Sequence, residues 1–217
     1  MIKQKVIIIG GKGTAINIAE QIIDAHKNYG VPIEFIGWAN DDETIDNIIN
    51  YPIVCRTDEL NEKYNKYSDV KVIYSLYKPK IMKERCTLLK KLNIDRNKFT
   101  KFIHPTSFIS PSAIIGLGSV ILANSSILSD VTIGNYSIIN TNVVVEHETK
   151  IDECVFIAAS ACIGSCVTVK KGTFIGLNSA IKENCTIEQY SVIGMGSNVV
   201  KSIKKNTTVI GNPAKPL

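Results

Sequence analysis

The chain holds three histidines in 217 residues, and one of them, His147, stands between two carboxylates in Val145-Glu146-His147-Glu148-Thr149-Lys150. An imidazole titrates near neutrality and is the natural general base, with about 10² to 10⁴ in rate available from a well-placed one. Glu148 or Glu146 can orient the ring and stabilise the imidazolium, as a carboxylate does in a catalytic triad. The bland alternative is a solvated histidine between solvated acids. A second candidate lies near the start, where an apolar run at 6–9 ends in Gly10-Gly11-Lys12-Gly13-Thr14 and a helical pattern follows over 15–29. Strand, glycine turn and helix N-terminus bring free amides and the positive end of a dipole together, which suits an anion at Gly11, Gly13 and Thr14. The motif lacks the third glycine of a dinucleotide fingerprint and also describes a plain tight turn. A third candidate is Asp41 and Asp42, at the end of the predicted strand Ile33–Ala39, where a carboxylate can bond a ribose or a base. Acids are favoured in turns for their own sake as well.

What must position His147 is written in the second half of the chain. From Ile103, seventeen consecutive six-residue units open with Ile or Val, and the fifth residue of each is small or β-branched. A period of six cannot be helical; it fits three short strands per 18-residue coil of a parallel β-solenoid. The aliphatic residues should point inward and stack about 4.8 Å apart, giving nearly six coils and a prism roughly 27 Å tall. Small fifth residues let the chain turn, and Gly116, Gly134, Gly164, Gly176, Gly194 and Asn178 are expected to take the strained corner angles. His147, third in its unit, should project outward at a corner. One coil further lies Ser165 beside Gly164, where a backbone amide can face a developing oxyanion.

The first hundred residues alternate strands and helices, with a third predicted strand at 70–76 and a helix over 80–92, which implies a small parallel sheet with right-handed crossovers. A linker at 93–101 follows. The sheet domain is expected to cap one end of the prism and an irregular tail, 204–217, the other.

Composition is that of a globular protein, 45% hydrophobic and 21% charged,. The net charge of +5 comes with no basic run interleaved with aromatics, so nucleic acid is not an expected partner,. No apolar run reaches spanning length and no leader-like segment opens the chain, so the expectation is a soluble, cytoplasmic protein without a membrane. The six cysteines form no CxxC, and the neighbours of the repeat cysteines 18 residues away are never cysteine, which favours free thiols,. His26 falls on a polar helix side and is expected to be solvated. His104 is far from His147 and out of phase with it, so no three-histidine metal site is expected.

Ile115-Gly116-x-Gly118-Ser119 and the closing Gly211-Asn212-Pro213-Ala214-Lys215 resemble the hexapeptide-repeat acyltransferases. The chain as a whole resembles the sugar acetyltransferases of the PglD and NeuD type. Residues 139–148 are similar to the active-site segment of nucleotide-sugar N-acetyltransferases in that family. The resemblance implies an α/β Rossmann-like nucleotide-sugar-binding domain with a parallel sheet over 1–101 and an all-β left-handed parallel β-helix over 102–217. It implies acetyl-CoA as co-substrate with no metal, and a homotrimer with active sites at subunit interfaces. The activity implied is N-acetylation of a nucleotide-linked 4-amino-4,6-dideoxysugar. His147 would be the base with Glu148 behind it, and Asn140 would hold the amine. Gly164, Ser165 and Lys215 would meet the coenzyme, with Lys201 or Lys204 as further candidates for its phosphates. The same machinery acting on a hydroxyl, as in sialic-acid O-acetylation, and a non-catalytic solenoid binding protein are the competing readings. The chain departs from the family at Thr14, at Phe156 and at Leu76-Tyr77, where relatives carry His, His and Gly-Asn; the second departure is expected to cost a coenzyme contact.

Overall fold

A computed structural model describes residues 3–217; Met1 and Ile2, which open both the expected first domain and the segment read for a leader, lie outside the described residues. Strand β1 (Gln4–Ile9) is followed by helix α1 (Thr14–Tyr29), β2 (Ile33–Ala39), β3 (Asn47–Ile48), β4 (Tyr51–Cys55), α2 (Leu60–Tyr64), β5 (Val70–Tyr74) and α3 (Met82–Lys91). The sheet order is β3-β4-β2-β1-β5, parallel except for the β3–β4 hairpin. Val6, Ile7, Ile8 and Ile9 are all fully buried. A central strand covered on both faces reads as such an unbroken aliphatic run.

Seventeen two-residue strands follow, from β6 (Phe102–Ile103) to β22 (Asn198–Val199), one in each hexapeptide unit. Strands 18 residues apart pair in parallel, so the chain winds as a parallel β-helix with three sheets as its faces. The first residue of each unit points inward: Ile121, Ile139, Ile157, Ile175 and Ile193 form one fully buried column. The fifth residues also point inward, and their hydroxyls stitch the coils together. Ser125 Oγ donates to Asn140 O (2.8 Å) and accepts from Val143 N (3.2 Å); Thr149 Oγ1 donates to Gly164 O (2.8 Å) and accepts from Val167 N (3.1 Å). The hydrogen bonds of a buried hydroxyl satisfied on both counts offset its desolvation, which is why serine is at home inside this core.

The corner angles fall elsewhere than expected. From the third unit to the sixteenth the left-handed residue is the fourth, such as Asn124 (φ 60°), Asn142 (φ 59°) and Asn178 (φ 51°). Gly116, Gly134, Gly164, Gly176 and Gly194 occupy the second position and have no left-handed φ; a Cβ at Gly116 would lie 2.5 Å from Asn135 N in the next coil. Those glycines are required by the close approach of stacked backbones, and only Asn178 of the expected set takes the strained angle.

The sheet domain does not cap an end of the prism. It lies along the face formed by the eight-stranded sheet. The outward residues Phe102, Val120, Ile138 and Phe156 of that face are buried in one cluster with Ile8, Ile18, Ile22 and Trp38. Phe156 stacks on Phe174 at 4.7 Å with rings nearly parallel. The expected linker is packed rather than free: Lys98 is buried with its amine donating to Tyr64 O (2.9 Å) and Tyr67 O (2.7 Å), and Phe99 bridges Val72. His104 is buried too, joining the prism to α1 through Asp24 Oδ2 at 2.9 Å. His26 is half-buried, its Nδ1 3.0 Å from Val31 O, rather than solvated. The tail is ordered as β23 (Thr208–Ile210) and β24 (Lys215–Pro216), an antiparallel pair that extends the eight-stranded sheet. No helix among the described residues is long and apolar enough to cross a membrane.

Candidate active site

His147 follows β13 (Val144–Val145), whose Val145 is fully buried. Neighbouring coils pin the backbone here: Glu146 N donates to Ile163 O (2.9 Å), Glu148 N to Ser129 O (2.9 Å), and Cys166 N to His147 O (3.0 Å). His147 points outward with half of its side chain exposed, and its Nδ1 lies 3.3 Å from Glu148 Oε1. A proton on Nδ1 shared with that carboxylate leaves the Nε2 lone pair free to accept one. One coil on, Cys166 Sγ lies 3.8 Å from Glu148 Oε2, so the carboxylate has the imidazole on one side and a thiol on the other. Cys166 escaped the sequence reading, although the 18-residue step that pairs His147 with Ser165 also pairs Glu148 with Cys166. All six cysteines are free thiols, Cys162 and Cys166 being exposed.

Asn140 is buried and sits second in its unit without a left-handed φ, so it is not a strained corner residue. Its Nδ2 donates to Ile157 O (3.1 Å), which fixes the side-chain amide. Gly164 and Ser165 do stand one coil from Glu146 and His147, but the Gly164 amide is already spent on Ile181 O (2.9 Å). The Ser165 amide makes no hydrogen bond among the described residues, so of the two it alone can serve as a backbone donor. Lys215 is exposed on the edge strand at the C-terminal end of the eight-stranded sheet, opposite Ile210.

The other candidates gather at the C-terminal ends of β1, β2 and β5. Gly10, Gly11 and Lys12, then Asn40 and Asp42, then Ser75 to Lys78, together with Arg85 of α3, line a cleft of about 390 Å³. Gly11 is tightly held, since a Cβ there would lie 2.6 Å from Asn40 Nδ2, and that amide donates to Gly10 O at 2.8 Å. Asp42 lines the cleft with its carboxyl below the ordinary value, held there first by the Thr44 hydroxyl and with a contribution from Lys12. Asp41 does not: its carboxylate is taken by Thr57 N and Thr57 Oγ1, both at 2.8 Å. Gly13 (φ 55°) and Thr14 form the start of α1, which no side chain caps, and neither lines the cleft. Lys12, Asn40, Lys78 and Arg85 were not singled out from sequence. Arg85 Nε is buried without a partner, an orphan donor beside the cleft. No hydrogen bond or ion pair among the described residues joins this cleft to His147.

No protein-family model matches the sequence. A protein of Schizosaccharomyces pombe described as an acetyltransferase is 34% identical over 89 residues, which is 40% of this chain and 42% of that protein. The chain thus spans less than half the length of that curated relative. Among solved structures, the acetyltransferase domain of PglB from Neisseria gonorrhoeae is 28% identical with a TM-score of 0.81, over 99% of this chain and 100% of that one. A histidine variant of perosamine N-acetyltransferase from Caulobacter crescentus, in complex with CoA and GDP-perosamine, is 23% identical with a TM-score of 0.83 over 98% of this chain and 96% of that one, a likeness of fold. From sheet domain to closing strands, the chain shares its fold with the acetyltransferase domain of PglB.

Proposed function

We propose that the chain is an acetyl-CoA-dependent N-acetyltransferase acting on the amino group of a nucleotide-linked 4-amino-4,6-dideoxysugar, with His147 as general base. The observation that carries this is the outward imidazole with Nδ1 against Glu148 Oε1 at 3.3 Å and Nε2 open. Nε2 takes the proton that the amine loses as it attacks the thioester carbonyl, and returns it to the departing coenzyme thiolate. Glu148 holds the tautomer and the imidazolium. The Ser165 amide is the donor for charge on the acyl oxygen. Asn140 faces the amine with its carbonyl oxygen, its own amide being anchored on Ile157 O. Lys215, with Lys201 or Lys204, meets coenzyme phosphates.

Residues 1–101 act as a Rossmann-like nucleotide-sugar domain and 102–217 as a left-handed β-helix. What supports the first is the cleft at the carboxyl ends of three parallel strands, the place where open α/β sheets take nucleotides, with Lys12, Lys78 and Arg85 as cations for a diphosphate,. The enzyme of like fold from Caulobacter crescentus is held with CoA and GDP-perosamine. A homotrimer would carry a neighbouring prism against the exposed apolar column of Leu177 and Met195, 52% and 78% exposed, and would bring a second chain to each His147.

The test is a panel of UDP-, dTDP- and GDP-linked 4-amino sugars with acetyl-CoA, read by release of free coenzyme, with the matching hydroxyl acceptors and free sialic acid alongside. Turnover confined to amines is the expected result, and His147→Ala should lower kcat/KM by about 10² to 10⁴. Turnover of hydroxyls alone, or an alanine variant within about twofold of wild type, would overturn the reading. Coenzyme binding without turnover of any acceptor would point to a scaffold.

A further inference from the structure

We infer that the His147 corner is also a binding site for a zinc-class divalent cation, with His147 Nδ1, the Glu148 carboxylate and Cys166 Sγ as its ligands. The cation would act as an inhibitor of acetyl transfer, not as a cofactor. The inhibitory half rests on His147 being the base; the cation site itself does not.

These three side chains are the one group of His, Cys, Asp and Glu donors among the described residues whose ligand atoms all lie within 4.8 Å of one another. Their spacing already approaches that of a coordination sphere. In a tetrahedral zinc site, with Zn–N and Zn–O near 2.0–2.1 Å, the N···O edge is about 3.3 Å; with Zn–S near 2.3 Å the S···O edge is about 3.6 Å. Here Nδ1 to Glu148 Oε1 is 3.3 Å and Sγ to Glu148 Oε2 is 3.8 Å. The two contacts use different oxygens, so the carboxylate lies between nitrogen and sulfur and reaches both without turning over. The backbone under the donors is fixed: Cys166 N donates to His147 O, and Glu148 N to Ser129 O. Closing the site therefore needs side-chain adjustment only. One nitrogen, one oxygen and one sulfur form a borderline-soft set that suits zinc and not magnesium or calcium. All three residues are exposed, which leaves a fourth position for water.

The chemical consequence follows from which nitrogen is taken. A cation on Nδ1 displaces the one proton of the neutral ring, that proton is taken up at Nε2, and the lone pair that would receive a substrate proton is gone. Cys166 gives up its thiol proton to solvent on binding, and Glu148 is drawn from the imidazole to the metal.

The full-length protein, stripped with a chelator, is titrated with Co²⁺ and followed by the thiolate-to-cobalt charge-transfer absorption, then back-titrated with Zn²⁺. The expected result is a saturable band at one Co²⁺ per chain, displaced by Zn²⁺. Cys166→Ser should abolish that band and weaken binding at least about tenfold. The same variant should leave metal-free turnover unchanged and raise the zinc concentration for half-inhibition by the same factor. Serine is tolerated at this backbone position, since Ser160 holds the equivalent left-handed angle (φ 61°). No band in wild type, or a band that survives in Cys166→Ser, overturns the site. A thiolate band with turnover untouched by zinc upholds the site and removes His147 as the base. The spectra decide the question even if none of the acceptors turns over.

Discussion

Replacing Phe156 by alanine tests whether the sheet domain is held along the face of the prism. Phe156 is 8% exposed and lies in the same buried cluster as Ile8, Ile22 and Trp38. Truncating a buried phenylalanine costs about 3–5 kcal/mol, of which the stacked pair with Phe174 accounts for about 0.5–1.5 kcal/mol. The chain has one tryptophan, Trp38, fully buried in that cluster, so its fluorescence reports the sheet domain directly. With a guanidinium slope of about 4 kcal/mol per molar, the midpoint should fall by about 1 M at a fixed protein concentration. Thr168→Ala is the control, because Thr168 holds the same strand position on another face and is half-buried; its effect should stay within about 0.5 kcal/mol. If Phe156→Ala were as mild as the control, or the Trp38 transition did not move, the docked arrangement would be wrong.

Two further outcomes follow from named groups. Arg85→Ala should raise KM for the nucleotide-linked substrate while leaving kcat and the KM for acetyl-CoA nearly unchanged, because the orphaned Nε beside the cleft is remote in the chain from His147; a loss confined to kcat would refute the cleft as the nucleotide site. Asp24 is held below its ordinary value of 3.8, first by the Asn28 amide and then by His104. A depressed carboxylate stabilises the fold above the unfolded-state pKa and gives that stability up as pH falls through the folded one. The wild-type Tm should therefore drop on the acid side, and Asp24→Asn should show a flatter limb there; identical Tm profiles would remove Asp24 from the acid response.

Much of the solenoid is legible because its first position is buried in nearly every coil and carries only Ile or Val. The seventeen strands fall on the seventeen units. The sheet domain was harder to read. Residues 51–55 carry Pro52, which demotes a strand pattern although it sits on the edge side of the sheet, and Asn47–Ile48 is too short for any period to show,. The docking face is written in the sequence at a period longer than the hexapeptide: Phe102, Val120, Ile138, Phe156, Phe174 and Val192 recur every 18 residues at the outward strand position. On the other faces that position includes Ser126, Thr132, Lys150 and Asn198. Phe156 was instead expected to mark a lost coenzyme contact, because a resemblance carries residue types without the packing that decides their neighbours.

The fourth position of each unit carries the same lesson into the candidate site. It is left-handed throughout the middle coils, a conformation that costs a side-chain-bearing residue roughly 1–2 kcal/mol and that Gly, Asn and Asp bear best. One corner of the prism follows that preference at Asn124, Asn142 and Asn178, and its exception, Ser160, accepts at Oγ from Asn142 Nδ2 at 3.2 Å. A second corner holds Tyr136, Cys154 and Tyr190, all packed against the sheet domain; Tyr136 O accepts from Tyr77 Oη at 2.6 Å. The third holds Asp130, Glu148, Cys166 and Asn184, and its two misfits are the two side chains that face each other beside His147. Where the backbone strain is borne by an ill-suited residue, something else must hold that residue in place. At the second corner that is burial against another domain. At the third, Glu148 and Cys166 are exposed, and no packing compensates for their strain. Strain borne by exposed residues without packing points toward function rather than stability, and here it falls on Glu148 and Cys166, the two side chains that the proposed cation site takes beside His147.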